Sequence, residues 1–336
     1  MELETATAFD RALVLGPGGV VGTAWMAGLV GELGRRGVDL GVADLTVGTS
    51  AGAIVGALLT TGQGLGRLAE VASRPGPAAR RGVDTAVAGA VFAVLGRHGL
   101  EPGEARRRIG RIALDHADSD RDASAEAERA LLAGRGALIG SDVWPTEGEL
   151  LITAVEAATG EPAVWDRTSG VPLVHAVAAS SAFPAAEPPV SVRGRRYMDG
   201  ALRAGSNADL AAGARTVVII EPLAHLSPRE PLDRRPTVVG ARSMVTIVPD
   251  AEAVRAFGPD LNDRELGSGL PSRPRPGARC RRAAAPRVGA RIRSGWLPGM
   301  RPRTAPKSDD AESQEVGRST CQTNERRERS MRRGRM

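Results

Sequence analysis

The sequence predicts an α/β fold in which helices cover a largely parallel sheet. Twice near the start of the chain, a short apolar run is followed by a glycine-rich turn and then by apolar residues at helical spacing. Apolar runs typical of strands return after residue 148, and 42% of the 336 residues are hydrophobic, enough for a core of ordinary size. Alternation of strands and helices favours parallel pairing, because a crossover helix returns the chain to the same edge of the sheet.

The first strand–turn–helix unit is predicted at residues 11–36. Residues 11–16 (RALVLG) form a buried strand that a Gly/Pro cluster closes, and a helix runs from residue 20 to about residue 36, where Gly37 supplies a stop. The second unit has a strand at residues 44–47, a turn at residues 48–52 and an apolar helix that ends near Thr60. Two such units in succession indicate a sheet with helices packed against it.

The middle of the chain is predicted to be a helical insertion over the sheet, at about residues 64–148. Helical spacing is found at residues 84–95, 103–117 and 123–132, without a convincing strand. Strands resume at residues 149–156 and 163–165, and further strands are predicted at residues 216–221 and 243–248. Two more helices are predicted, at residues 173–180 and 207–214. The insertion can shape an apolar pocket or a lid, or serve packing alone.

Charge and composition separate a body from a tail. Residues 271–336 carry 18 basic and 6 acidic groups, whereas the remaining 270 residues have a net charge of −6. From about Asn262 onward, apolar periodicity gives way to Pro, Gly, Arg and Ser. We predict one domain over residues 1–262 and a disordered, Arg-rich tail over residues 263–336, with the hypothesis that the tail is a frame-shifted end of an older domain. A basic tail on an acidic body is poor support for a nucleic-acid-binding fold, so no nucleic acid partner is expected.

Several absences in the sequence narrow the class of protein. Both cysteines, Cys280 and Cys321, lie in the tail, and no cluster of His, Cys and carboxylates has metal-ligand spacing, so we expect neither a metal nor another cofactor. The acidic start differs from a signal peptide, and no apolar run reaches the ~20 residues needed to cross a bilayer. These features predict a cytoplasmic protein whose contact with membranes is peripheral.

The turn Gly48-Thr49-Ser50-Ala51-Gly52 matches G-x-S-x-G between a strand and a helix, which is the context of a nucleophilic serine. Gly48 and Gly52 leave room for the backbone to double back, and the helix that follows favours negative charge near Ser50. The alternative is a plain Gly/Ser-rich turn in a glycine-rich protein, because the motif alone is common. Context alone does not decide between the two.

A second glycine-rich turn, residues 16–22 (GPGGVVG), also lies between a strand and a helix. Its backbone amides can form a phosphate cradle or an oxyanion hole. The dinucleotide pattern that starts at Gly16 needs glycine where Val21 stands, and the phosphate-binding loop needs a lysine that the body lacks. Neither objection applies to an oxyanion hole, which is therefore the interpretation that remains.

A serine nucleophile requires a base, and the candidates are four histidines and one aspartate. His98, His116, His175 and His225 lie in no distinctive motif. Asp199 stands in Asp199-Gly200-Ala201 after an apolar approach, although Asp-Gly is also a common turn pair. The carboxylate is the more suggestive candidate.

Taken together, the glycine-rich loop, GTSAG and DGA occur in the order found in the patatin-like phospholipase family, which the chain resembles from about residue 11 to about residue 257. Residues 178–184 (AASSAFP) are similar to the segment that precedes the family's Asp-Gly motif. The resemblance implies a three-layer αβα sandwich with a mostly parallel sheet. It also implies an acyl hydrolase with a Ser–Asp dyad, which needs no placed histidine.

Carried onto this sequence, the resemblance makes Ser50 the nucleophile, Asp199 its base, and the amides of Gly18 and Gly19 the oxyanion hole. Gly16, Gly22, Gly48, Gly52 and Gly200 support the motifs. The expected substrate is a fatty-acyl ester or a phospholipid, with peripheral membrane contact.

The loop departs from the family pattern at two positions. Pro17 stands where the family usually has glycine, and Val21 stands where many members have a basic residue. Because proline has no N–H, residue 17 cannot donate to an oxyanion, whereas Gly18 and Gly19 can. Pro17 and the divergent tail leave an alternative open, a degenerate protein that binds acyl lipids without turnover. A weaker hypothesis assigns the basic tail to binding of nucleic acid or anionic membranes.

Overall fold

The computed structural model describes residues 9–72, 83–226 and 241–258. Within these residues, eight strands form one sheet: β1 (Arg11–Leu15), β2 (Leu45–Gly48), β3 (Glu149–Glu156), β4 (Pro162–Trp165), β5 (Val190–Val192), β6 (Arg195–Asp199), β7 (Thr216–Ile220) and β8 (Ser243–Ile247). The α-helices are α1 (Gly19–Arg35), α2 (Ala51–Thr60), α3 (Gly66–Ala72), α4 (Thr85–Leu95), α5 (Pro102–Ser119), α6 (Arg121–Ile139), α7 (Leu173–Ser180), α8 (Ala201–Ala204) and α9 (Ala251–Phe257). Short 3₁₀ helices lie at Leu40–Val42 and Ala208–Ala211.

The sheet is mixed but mostly parallel, as predicted. Its strand order is β5-β6-β3-β2-β1-β7-β8, and β4 pairs with β3 outside this path. Five neighbouring strands of the sheet, in the order β3-β2-β1-β7-β8, pair in parallel. β4 and β6 run antiparallel to β3, and β5 runs antiparallel to β6. The predicted α/β class is therefore confirmed.

Helices cover both faces of the sheet, which gives the three-layer sandwich that the family resemblance implies. Alternate residues of β3 separate the two faces, because neighbouring side chains of a strand point in opposite directions. Ile152 and Ala154 pack with helices α2, α6 and α7 in one buried cluster. Val155 packs with residues of α4 and α5 in another cluster, and Leu151 lies against the 3₁₀ helix Ala208–Ala211.

The region of the predicted insertion contains α3, α4, α5 and α6 among its described residues. Acidic side chains begin three of these helices. Asp84 caps α4, Glu101 caps α5 and Asp120 caps α6, each accepting a hydrogen bond from a backbone N–H of the first turn. Helix α6 continues to Ile139, beyond the predicted end at residue 132, because Gly134 and Gly136 remain helical and Gly140 ends the helix with a φ of 68°.

The prediction of a helix over residues 207–214 is wrong. Asn207 has a left-handed conformation with a φ of 59°, and its side chain is buried among hydrogen-bond partners, so the backbone forms only the 3₁₀ turn Ala208–Ala211. Strands β5 and β6, and helices α3, α8 and α9, were not predicted. β6 is short and begins with Arg195 and Arg196, which hide the apolar signal of a strand.

The predicted domain boundary at residue 262 and the predicted tail, residues 263–336, lie outside the described residues. The domain organisation therefore stays a prediction. Along residues 9–72, 83–226 and 241–258, no helix combines the length and apolarity that a membrane crossing requires.

Candidate active site

Ser50 lies on a sharp turn between β2 and α2. β2 ends at Gly48, and α2 begins at Ala51. Ser50 has φ 55° and ψ −114°, a conformation that side-chain-bearing residues rarely adopt. Backbone strain of this kind persists only where the surrounding structure enforces it, and it is common at reactive sites.

Both glycines of the turn are required by close contacts. A Cβ atom at Gly48 would lie 2.8 Å from Cα of Ala53, within the first turn of α2. A Cβ atom at Gly52 would lie 2.0 Å from the carbonyl oxygen of Leu15, at the end of β1. The glycines of G-x-S-x-G thus allow the strand, the turn and the helix to pack at this distance.

Replacing Gly52 with alanine is expected to destabilise the protein, because the backbone of β1 cannot move away without breaking its pairing with β2 and β7. The free energy of unfolding should fall by about 3 kcal/mol, which lowers the melting temperature by about 6–12 °C. The matched control is Gly28→Ala on α1, where a Cβ atom meets nothing within 4 Å. That variant should be neutral or more stable by up to ~1 kcal/mol. Equal melting temperatures for the two variants would contradict the contact argument.

Asp199 lies beside Ser50 and forms the central hydrogen bond of the site. The Ser50 hydroxyl donates to Asp199 Oδ2 over 2.8 Å. Asp199 Oδ1 accepts a hydrogen bond from the backbone N–H of Ala201, also at 2.8 Å, which fixes the carboxylate. Each carboxylate oxygen therefore has one donor, and one of the donors is the hydroxyl of the strained serine.

Strand β3 explains how two residues 149 positions apart become neighbours. Gly48 at the end of β2 pairs with Ile152, and Asp199 at the end of β6 pairs with Ala154. β2 and β6 thus flank β3 on its two sides and run in opposite directions, so that their C-terminal ends approach each other beside Ile152 and Ala154. Ser50 lies two residues after the end of β2, and Asp199 is the last residue of β6.

Burial determines the basicity of Asp199, which is 2% exposed. Loss of solvent raises its pKa from 3.8 to about 6, although the Ala201 N–H, the Ser50 hydroxyl and the positive charge of Arg135 each lower it. A carboxylate with a pKa near 6 is ionised at neutral pH but is a far stronger base than an exposed aspartate. Such a value suits proton abstraction close to pH 7.

The glycine-rich loop lies next to the serine turn. In the parallel pairing of β1 and β2, Leu15 is opposite Gly48, and the Thr49 N–H donates to the Leu15 carbonyl over 3.0 Å. Gly22 N–H makes the first helical hydrogen bond of α1, to the carbonyl of Gly18 at 2.9 Å. The amides of Gly18 and Gly19 precede this bond and have no partner within the helix, so they can serve an external acceptor.

Steric contacts also fix the glycines of this loop. A Cβ atom at Gly18 would lie 2.7 Å from Cα of Gly22, and a Cβ atom at Gly22 would lie 3.0 Å from the Pro222 side chain. A Cβ atom at Gly16 would lie 3.2 Å from a carbonyl oxygen of β7. Gly19 has a φ of 61°, a left-handed value that favours glycine.

Behind the dyad lies a buried polar network that sequence reasoning missed. The Asn207 side-chain amide donates to Thr49 Oγ1 at 2.9 Å, to Thr153 Oγ1 at 3.1 Å and to the Gly200 carbonyl at 3.1 Å. A Cβ atom at Gly200 would lie 2.2 Å from the Thr153 carbonyl, so this turn also needs glycine. The network joins the serine turn, β3 and the Asp-Gly turn. Asn207 carried no signal, because a lone asparagine is common in loops.

The C-terminal end of α7 and the residues after it hold the backbones of both dyad residues. Ser180 Oγ accepts a hydrogen bond from the Ser50 N–H at 2.9 Å, and the Ser180 carbonyl accepts from Gly200 at 3.2 Å. The Ala182 carbonyl accepts from the Asp199 N–H at 3.0 Å. In the sequence, residues 178–184 are distinguished only by their similarity to the family. Their contacts explain why they accompany the dyad.

Histidines do not take part in these contacts. All four lie in the part of the chain that the structure describes, and none of the hydrogen bonds found there joins one to Ser50 or Asp199. His175 is on α7 with a buried Nδ1 that has no hydrogen-bond partner in the described residues, and His225 packs against Phe257. Among the same described residues, no group of three or more His, Cys, Asp or Glu side chains is placed to hold a metal ion.

Comparison with known proteins gives a match to a family model and matches to solved structures. The family model described as patatin-like phospholipase matches residues 13–212, well over half of the chain. Twelve chains of solved structures match. Among them is the crystal structure of VipD from Legionella pneumophila, with 14% identity and a TM-score of 0.35; the match covers 63% of this chain and about half of VipD (50%). No curated protein matches the sequence.

Proposed function

This chain belongs to the patatin-like phospholipase family, and we propose that it is a serine acyl hydrolase that cleaves carboxylic esters of lipids through Ser50 and Asp199. Family membership supports lipid acyl hydrolysis in general. The observation that carries the finer proposal is the 2.8 Å hydrogen bond from the Ser50 hydroxyl to the buried Asp199 carboxylate. It pairs a strained serine with a carboxylate of raised pKa, the pairing that nucleophilic catalysis requires.

In the acylation step, Asp199 Oδ2 takes the hydroxyl proton while Ser50 Oγ bonds to the ester carbonyl carbon. The carbonyl electron pair moves to oxygen, and the amides of Gly18 and Gly19, together with the N-terminal end of α2, stabilise the resulting charge. When the tetrahedral intermediate collapses, the bond to the leaving oxygen breaks and that oxygen takes the proton from Asp199. The products are an acyl-enzyme and a free alcohol or lysophospholipid.

Deacylation repeats the same steps with water as the nucleophile. Asp199 removes a proton from a water molecule that attacks the acyl carbonyl, and the tetrahedral intermediate forms beside the same amides. Collapse breaks the bond to Ser50 Oγ, which regains the proton, and releases the fatty acid. One carboxylate serves both half-reactions, and the raised pKa of Asp199 suits this exchange of a proton near neutral pH.

Hydrolysis of p-nitrophenyl esters from butyrate to palmitate tests this function. The proposal expects turnover by the wild type, with a chain-length optimum that separates small esters from lipids. A folded wild type without activity on any ester would instead favour the lipid-binding alternative, for which Pro17 in the glycine-rich loop is the specific observation.

Peripheral contact with a lipid surface is part of the proposal, and helix α4 supports it. This helix has the sequence TAVAGAVFAVL, without a charged side chain, and Val91 is its one buried residue. Phe92 is 60% exposed, and its ring lies 6.0 Å from that of Phe183, next to the segment that holds the dyad. Eleven helical residues span about 16 Å, too short to cross a bilayer core of ~30 Å, but long enough to lie in its surface.

Replacing Phe92 with aspartate is expected to weaken binding to phosphatidylcholine vesicles by about tenfold or more, because the ring no longer enters the lipid surface and a charge must be dehydrated. Vesicle co-sedimentation measures the effect. The control is Val143→Asp, in the loop after α6, where an apolar side chain is 71% exposed. Equal losses in both variants, or unchanged binding by the Phe92 variant, would argue against α4 as the contact.

A further inference from the structure

Arg135 occupies a position on α6 where an apolar residue is expected. Leu131, Arg135 and Ile139 are the buried residues of this helix, four positions apart, and they form a single stripe that faces the core. The Arg135 side chain is only 9% exposed. Burial of a guanidinium is costly unless other groups compensate its charge and accept hydrogen bonds from its N–H groups. The presence of Arg135 on this buried stripe therefore calls for a specific role.

The contacts of Arg135 lead to the segment after α7. Its Nε donates to Ser181 Oγ over 2.7 Å, and its Nη2 lies 3.7 Å from Glu187 Oε1. The Ser181 hydroxyl in turn donates to the Val177 carbonyl over 2.8 Å, within α7. The guanidinium therefore joins the helical insertion to the residue in the middle of the 180–182 segment.

That segment is in direct contact with both members of the dyad. Ser180, just before Ser181, accepts the hydrogen bond of the Ser50 N–H, and Ala182, just after it, accepts that of the Asp199 N–H. A shift of the segment would move the nucleophile and the base at once. Displacement of reacting groups by about 1 Å is enough to cost ~100-fold in rate.

We propose that Arg135 is a positioning residue for the acyl transfer: by anchoring Ser181, it holds the segment that orients Ser50 and Asp199. The inference rests on the proposed function and deepens it. Through Arg135, a residue of the helical insertion acts on the catalytic dyad of the sheet.

The charge of Arg135 adds to these contacts, because it acts on the Asp199 carboxylate. Elements at or next to β3, α6 and α7 carry further titratable side chains, among them Arg67 and Glu70 on α3, His116 and Asp118 on α5, Glu156 on β3, His175 on α7, Glu187 after α7, Arg195, Arg196 and Tyr197 on β6, and Arg203 on α8. Salt bridges join Arg195 to Glu156, Arg196 to Asp118 and Arg203 to Asp209. The charge that lowers the pKa of Asp199 is that of Arg135.

The test compares four variants in steady-state hydrolysis of a soluble butyrate ester between pH 4.5 and pH 9. Arg135→Met removes the charge and the hydrogen bond, Arg135→Lys keeps the charge, and Ser181→Ala removes the anchored hydroxyl. Arg129→Met changes an exposed arginine of the same helix and is the control. Melting temperatures monitor folding, and Ser181→Ala keeps the proposal testable if Arg135→Met does not fold.

We expect Arg135→Met to lower kcat about 10- to 100-fold with KM within about threefold. The acid limb of its kcat/KM profile should move to higher pH, since loss of a nearby cation raises the pKa of a carboxyl group. Arg135→Lys should restore the acid limb but not the full kcat, and Ser181→Ala should lower kcat without moving the limb. Arg129→Met should match the wild type.

The proposal is overturned if Arg135→Met keeps the wild-type kcat and acid limb. It is also overturned if Arg135→Met and Arg135→Lys are equally impaired with unmoved limbs, as a purely structural role would produce. Failure of the proposed function would look different, because the wild type would then be inactive or would keep its activity in Ser50→Ala.

Discussion

Replacing Ser50 with alanine is expected to lower kcat for ester hydrolysis by about 10⁴-fold or more, because the attacking oxygen is removed and the remaining groups can only bind and polarise the substrate. KM should change little, since the hydroxyl is consumed in the reaction rather than in binding. Progress curves with p-nitrophenyl butyrate, followed at a protein concentration high enough to detect slow turnover, measure the loss.

Stability must be separated from chemistry in this experiment. Ser50→Ala keeps a Cβ atom at a φ of 55° and deprives buried Asp199 of one donor, so a modest loss of about 1–2 kcal/mol is expected. Ser50→Gly also removes the oxygen but relieves the backbone strain, and should therefore be the more stable of the two. Both should be inactive. Residual hydrolysis above about 1% of wild type in either folded variant would contradict the assignment of the nucleophile.

Replacing Asp199 with asparagine should lower kcat by about 10³-fold or more, because an amide cannot take the serine proton. In the wild type, kcat/KM should rise as the pH increases through about 6, the value to which burial raises the pKa of Asp199. Below that pH the carboxyl is protonated and is no longer a base. The variant should lose this limb together with its activity.

The same substitution is expected to stabilise the fold, and the sign follows from linkage. A carboxyl whose folded pKa of about 6 exceeds its unfolded value of 3.8 binds its proton more tightly when folded, so wild-type stability falls as pH rises between those values. The total loss is about 3 kcal/mol at 1.36 kcal/mol per pKa unit. Asparagine cannot ionise, so its advantage should grow from pH 4 to pH 6 and then stay constant.

Asp44 provides a control of opposite sign for this experiment. The neighbouring guanidinium of Arg11 lowers the pKa of Asp44, so its ionised form stabilises the protein above the ordinary aspartate pKa, and this stability is lost as pH falls. Asp44→Asn should therefore be less stable than the wild type at pH 7. Urea unfolding at several pH values distinguishes the two variants. An Asp199→Asn variant that is less stable than the wild type at pH 7 would contradict the argument that burial of the ionised Asp199 carboxylate destabilises the fold.

Much of this arrangement could be predicted from the sequence, because the features that carry it are local. GTSAG follows a strand and precedes a helix. The two positions where a Cβ atom would clash with neighbouring backbone, Gly48 and Gly52, are part of the motif. The apolar runs of β1, β2, β3, β7 and β8 are long enough to indicate strands, and their alternation with helices gives the parallel part of the sheet.

The rest depends on contacts between distant parts of the chain. The sequence does not predict β6, because its arginines mask the apolar pattern of a strand. The pairing of β6 with β3, which brings Asp199 beside Ser50, therefore could not be predicted either. Asn207 looked like the start of a helix, whereas its side chain satisfies buried groups from two other turns. Arg135 lies between two glycines on a helix, and only the packing of α6 against α7 shows that it is buried.

Labelling with a fluorophosphonate tests the central claim most directly, because this reagent forms a stable covalent bond with an activated serine and mimics the tetrahedral intermediate. Intact mass and peptide mapping would locate the adduct on the wild type, on Ser50→Ala and on Asp199→Asn. The account predicts one adduct on Ser50 in the wild type, none in Ser50→Ala and strongly slowed labelling in Asp199→Asn. An adduct on another residue, or ester hydrolysis by a wild type whose Ser50 stays unlabelled, would contradict it.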